Sequence, residues 1–144
     1  GRVGCPALAC GAMENRWCVA FRETAPLVDT AVGSQAELQR VAYMVMHEIA
    51  HMWFGDLVTM KWWNGIWLNK AFATFMELKA TDAFRPEWDR WTSFGLERGQ
   101  AFGVDALNAT RPIAVDVPSP AEAGGVLDGL TYPKGCAGMR MLGQ

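Results

Sequence analysis

No stretch of this sequence is long and apolar enough to cross a bilayer. The longest candidates are interrupted by Glu48, His51 and Asp56, or by Lys70 and Glu77, so no membrane partner is expected. Neither sign of charge prevails, with 13 Lys+Arg against 15 Asp+Glu and a net charge of -2. The basic footprint that nucleic acid requires is therefore missing, as is any block of like charge that would form a tail. Cysteine is sparse: Cys5, Cys10, Cys18 and Cys136 include no C-x-x-C pair, so they read as reduced thiols, which favours the cytoplasm. There is no internal repeat and no low-complexity tract. The opening residue is Gly1, not methionine, and no signal peptide is recognisable. Met139–Leu142 reads as a helix beginning as the sequence stops. Both features suggest a single partial domain, 1–144, cut at both ends from a longer parent with flanking domains. About half of the residues, 51%, are apolar, enough for one globular core.

The pattern predicts a mainly α protein with a small β portion. Ser34 and Glu37 form an S-x-x-E capping box at a helix start. From there Leu38, Val41, Ala42, Val45, Ile49 and Met52 repeat at three- and four-residue steps as one apolar stripe, with Gly55 as the stop. His47 and His51 share another face. A second, buried helix is expected from about Ile66 to Phe84, closed by Pro86. Pro86 and Glu87 suit the first turn of a third helix, weakened later by Gly95 and Gly99. Ile113, Val115 and Val117 alternate as a short strand would. Ser119 with Glu122 suggests a second capping box, strands or loops are expected from Val19 to Val28, and an edge strand or sheet remnant is expected near Gly11–Glu23.

His47 and His51 are the only two histidines, and they stand in His47-Glu48-Ile49-Ala50-His51, the H-E-x-x-H pattern of zinc peptidases. Residues four apart are neighbours on one helical face, so both imidazoles can reach one cation at about 2.0–2.1 Å. Glu48, one position round the helix, can stand beside the metal and take a proton from bound water.

Gly11-Ala12-Met13-Glu14-Asn15 upstream is the G-A-M-E-N motif, and with H-E-x-x-H downstream of it the chain resembles the M1 family of zinc aminopeptidases, of the bacterial aminopeptidase N type. Trp53 to Met60, Trp62-Trp63-Asn64 and Trp67-Leu68-Asn69 continue the similarity, and Thr131-Tyr132-Pro133-Lys134-Gly135 resembles the family's Y-x-K-G segment. The resemblance implies a fragment of the thermolysin-like gluzincin catalytic domain and one zinc ion. It implies that Glu14 binds the free α-amino group of a peptide while Gly11, Ala12 and Met13 lie alongside it as an added strand would. Glu48 would be the general base, and Tyr132 would hydrogen-bond the oxyanion. Pro133 and Cys136 depart from the usual pattern around that tyrosine. The epoxide hydrolase activity known in the family uses the same motifs.

One position breaks the pattern. The family completes its zinc site with the glutamate of W-L-N-E, and that position is Lys70. An ammonium has no lone pair to give, and a unit positive charge about 4 Å from a dication is repelled by roughly 8 kcal/mol at an effective dielectric near 20. Lys70 could lose its proton, swing aside, or pair with Glu48 or Glu14 in the place of the metal. Glu77 is not expected to substitute, since it lies about 10 Å further along the same helix. Two functions follow: a zinc aminopeptidase acting on peptides with a free amino terminus, its metal weakened, or an inactive peptide-binding or structural homologue.

Overall fold

The computed structural model describes residues 1–29 and 31–143. Among these residues four α-helices, labelled α1 (Gln35–His51), α2 (Ile66–Phe84), α3 (Arg90–Asp105) and α4 (Thr131–Leu142), make up most of the regular secondary structure. Three short strands precede them: β1 (Arg2–Cys5), β2 (Ala12–Met13) and β3 (Val19–Arg22). β3 is central, parallel to β1 and antiparallel to β2, with Ala12 opposite Phe21 and Met13 opposite Ala20. The β2 strand therefore lies at one edge of the sheet. Among the described residues no helix is long and apolar enough to cross a membrane.

The capping box at Ser34 forms as the sequence predicts. Ser34 Oγ accepts from the Glu37 amide and Glu37 Oε2 accepts from the Ser34 amide. The expected apolar stripe of α1, however, is not its inner face. Its buried residues are Glu48 and His51, while Ile49 is half exposed. The reason lies in α2, which offers polar partners to the histidine face, so that α1 docks on that side. The helix ends at His51, before Gly55, and the chain turns through Gly55 at φ 132°.

Helix α2 has the bounds expected and runs through the centre, touching α1, α3 and α4. Ala71, Ala73, Leu78 and Thr81 are fully enclosed. Leu78 packs with Phe94 of α3 and Cys136 of α4 in one core cluster. The third helix does not begin at Pro86. Pro86–Trp88 is a separate 3-10 turn, Asp89 adopts a left-handed backbone at φ 46°, and α3 starts at Arg90. It then continues through Gly95, Gly99 and Gly103, because burial of Phe94 and Ala101 outweighs the low helix propensity of glycine.

The strand expected at Ile113–Val117 is absent. The backbone there bonds to side chains in place of a neighbouring strand: the Val117 amide donates to Asn64 Oδ1, and the Val117 carbonyl accepts from Trp62 Nε1. Ser119 and Glu122 do interact through their side chains, but the Ser119 side chain makes no backbone cap, and the segment Pro120–Val126 is 3-10. Helix α4 begins well before Met139. Asp128 Oδ1 accepts from the amides of Leu130 and Thr131, and Pro133 falls in the first turn, where its missing N–H costs nothing. Neither Pro133 nor Cys136, which is fully buried, disturbs the start of this helix.

The crossing of α2 and α4 depends on Gly135, where an added Cβ would stand 2.6 Å from Ala71 Cβ. Helix propensity favours alanine over glycine by up to about 1 kcal/mol, but overpacking costs about 1–3 kcal/mol. Gly135→Ala is therefore expected to destabilise the fold, whereas Gly138→Ala in the same helix, with nothing within 4 Å, is expected to stabilise it slightly. Urea unfolding midpoints of the two variants should move in opposite directions.

Candidate active site

The motif residues scattered along the sequence converge where α1 lies across α2 beneath the β2 edge. His51 is fully buried, Glu48 is 6% exposed, and Glu14 approaches from the segment just after β2. The imidazoles of His47 and His51 meet with their Nε2 atoms 3.2 Å apart. Two nitrogens bound to one tetrahedral zinc at about 2.0–2.1 Å stand about 3.3 Å from each other, so this approach matches shared ligation.

Both rings are oriented from behind. His47 Nδ1 donates to Glu77 Oε2 at 3.1 Å. His51 Nδ1 faces two acceptors, the Phe54 carbonyl at 2.8 Å and Asn69 Oδ1 at 2.9 Å. With a proton on each Nδ1, both Nε2 atoms present lone pairs toward one point, an arrangement a cation satisfies. Asn69 is held by close packing, since a Cβ at Gly55 would fall 2.8 Å from its Oδ1. Glu77 is in turn held by Arg90, whose Nη2 donates to Glu77 Oε1 at 3.2 Å, while Nη1 donates to Glu97 at 2.7 Å.

Glu77, Asn69 and Arg90 are site residues that the sequence reading did not assign. Glu77 is indeed no third ligand. It reaches the back of His47, where two turns along α2 from Lys70 place it.

Lys70 lies on the inner side of α2, and its Nζ donates to Glu14 Oε1 at 2.6 Å, the two side chains being 12% and 18% exposed. The same Glu14 oxygen is 3.6 Å from His51 Nε2. Of the outcomes open to Lys70, the structure therefore adopts the pair with Glu14. Burial alone would raise the Glu14 carboxyl, but His51 and the Lys70 ammonium hold it below its ordinary range. Burial also pushes His51 down to about 4, with the Glu14 charge opposing it. At neutral pH the imidazole is thus uncharged, and Lys70 is the cation that faces Glu14.

Two donors fit a zinc ion and a third does not. Among the described residues no group of three His, Cys, Asp or Glu side chains is arranged to hold a metal, and the remaining position carries an ammonium already committed to Glu14. The donor set as it stands does not fit a resident zinc ion.

Glu48 Oε2 is buried without a hydrogen-bond partner. Burial raises its carboxyl to about 7, opposed by His47 and reinforced by Glu14, which poises it to exchange a proton near neutrality. The Tyr132 ring centroid is 6.3 Å from that of His47. Burial and then the charges of Glu14 and Glu48 raise its phenol above the ordinary value, so it keeps its proton and remains a donor. Gly11 and Met13 are exposed, and Ala12 is partly so, along the β2 edge. A cleft of about 550 Å³, lined by Glu97, Arg111, Asp128 and Pro133, includes none of Glu14, His47, Glu48, His51, Lys70 and Tyr132.

A profile of the Peptidase family M1 domain matches residues 2–144. The chain belongs to peptidase family M1. Among its M1 relatives, Aminopeptidase M1-A of Oryza sativa subsp. japonica is 48% identical over 140 residues, which cover 97% of this chain and 16% of that protein. Aminopeptidase M1 of Arabidopsis thaliana is 45% identical with the same coverage. Tricorn protease-interacting factor F2 of Thermoplasma acidophilum is 45% identical over 141 residues, 97% of this chain and 18% of its own length. This M1 chain thus spans about a sixth of the length of the relatives it matches.

The raised Glu48 has a consequence for stability. A carboxyl whose folded value is about 7 against an ordinary 4.5 binds its proton more tightly when folded. Its contribution is complete below about pH 4.5 and is lost as the pH rises through 7. In buffer with a metal chelator, Glu48→Gln is therefore expected to raise the melting temperature at pH 8 and to leave it nearly unchanged at pH 4. An equal effect at both pH values would show that the carboxyl does not titrate in this way.

Proposed function

We propose that this chain is the peptide-end-binding core of an M1 aminopeptidase, acting on peptides with a free amino terminus, in which Lys70 strongly suppresses zinc-dependent hydrolysis. The observation that carries the reading is the Lys70–Glu14 pair at 2.6 Å, set against two imidazoles that converge as metal ligands do. In the family, zinc completed by a glutamate at this position supplies an activated water; here that carboxylate is missing.

The chain's own residues retain the remaining tasks. Glu14 is the anchor for a charged amine, because a half-buried carboxylate favours an ammonium and leaves a blocked terminus unpaired. Gly11, Ala12 and Met13 border the sheet on β2 and suit main-chain pairing with an extended peptide. Glu48 accepts the proton from the attacking water, and Tyr132 donates to the developing oxyanion. His47 and His51 retain a weakened affinity for a divalent ion. Residues 1–144 act as a single partial domain of a longer chain with flanking domains. The free cysteines suit a reducing compartment such as the cytoplasm.

Zinc content and hydrolysis of leucine p-nitroanilide, compared between the unmodified protein and Lys70→Glu, test this. Altering groups behind a ligand already costs 10–100-fold in affinity or activity, so restoring the ligand itself is expected to raise hydrolysis by at least about 100-fold. Near-stoichiometric zinc is expected in the variant alone. Equal zinc and equal hydrolysis in both proteins would overturn the reading.

A further inference from the structure

Lys70 does more than leave the metal one donor short. Its ammonium is chemically the group that Glu14 is proposed to anchor, a primary amine carrying a full charge. It already sits on that carboxylate, with Nζ 2.6 Å from Oε1. Both side chains are shielded from solvent, at 12% and 18% exposure, so salt screens the pair less than a surface ion pair. Lys70 issues from the rigid central helix, and Glu14 sits just past the edge strand. The ammonium is therefore presented as an intramolecular ligand at an effective concentration in the millimolar range or above. A peptide amine arriving from solution must displace it.

We infer that Lys70 is a built-in occupant of the amine subsite: the chain blocks its own Glu14 with a tethered ammonium, independently of any metal. This rests on the reading that Glu14 anchors substrate amines. The two losses are separable. Exchange of Lys70 for a glutamate would supply a ligand, whereas exchange for a neutral residue would clear the subsite and supply none.

The test uses L-leucinamide as the probe, titrated calorimetrically in the presence of a chelator against the unmodified protein, Lys70→Met and Lys70→Met/Glu14→Gln. A charge-assisted contact released from internal competition is worth about tenfold or more, so Lys70→Met is expected to bind the probe at least tenfold more tightly than the unmodified protein. That gain should vanish when Glu14→Gln is added, and also when N-acetyl-leucinamide replaces the probe. Equal binding to the unmodified protein and Lys70→Met, weakened in both by Glu14→Gln, would overturn the self-blocking and leave the amine anchor standing. Binding to neither, or binding indifferent to Glu14→Gln, would overturn the anchor and the blocking with it. Circular dichroism verifies the fold of each variant, and Lys70→Gln takes the place of Lys70→Met should the latter not fold.

Discussion

The polar face of α1 is pressed against α2, and the chemistry of the molecule follows from that contact. A fully enclosed His51 and a nearly enclosed Glu48 are costly unless their polar atoms find partners. Helix α2 and the turn after α1 provide them: Asn69 and the Phe54 carbonyl for His51, and Glu77 for His47. The outcome is a pair of rings whose tautomers and directions are determined before any ligand arrives. The Glu48 carboxyl, by contrast, has one oxygen without a partner and is pushed up to about 7. The same packing thus orients two groups and activates a third.

Charge balance explains how a lysine can stand where the family has a glutamate. Around the site, Glu14 faces Lys70, and Glu77 shares Arg90 with Glu97. With His51 held neutral, these groups form a nearly compensated set without any metal. Replacing a carboxylate by an ammonium changes the local charge by two units, which is the charge of the dication that the family's glutamate helps to hold. In electrostatic terms the lysine stands in for the ion it displaces, so the buried carboxylates remain accommodated. A carboxylate at position 70 would instead sit beside Glu14 and require a cation between them.

Much of this was legible in the sequence, and the exceptions have physical causes. The capping box at Ser34 and the bounds of α2 followed from local rules, because capping and burial on every side of a helix leave plain marks. The motif residues came together because H-E-x-x-H and G-A-M-E-N encode backbone geometry as well as chemistry. The apolar stripe of α1 does not mark its inner face, since hydrophobic periodicity ranks faces by composition, whereas here satisfied hydrogen bonds determined which face turned inward. The Ile113–Val117 alternation suggested a strand, but Asn64 and Trp62 bond its backbone through side chains from distant positions, which no local window reveals. The orienting roles of Glu77, Asn69 and Arg90 are not legible for the same reason, as they exist only once α1, α2 and α3 are packed.

The Lys70–Glu14 pair also bears on the architecture. It links residues 56 positions apart, joining the segment that follows the edge strand to the central helix. Its partner interactions are local by comparison: His51 and Asn69 connect two helices already packed side by side. The sheet is small, with a two-residue edge strand, and such an edge has little pairing of its own to hold it in place. A charge-assisted bond at a shielded position is therefore well suited to anchor it. Lys70, at the position where the family has a glutamate, thus ties the segment after the edge strand to the central helix. The proposed blocking of the subsite and the bracing of the sheet are two effects of one contact, and each follows from Nζ reaching Glu14 in preference to solvent.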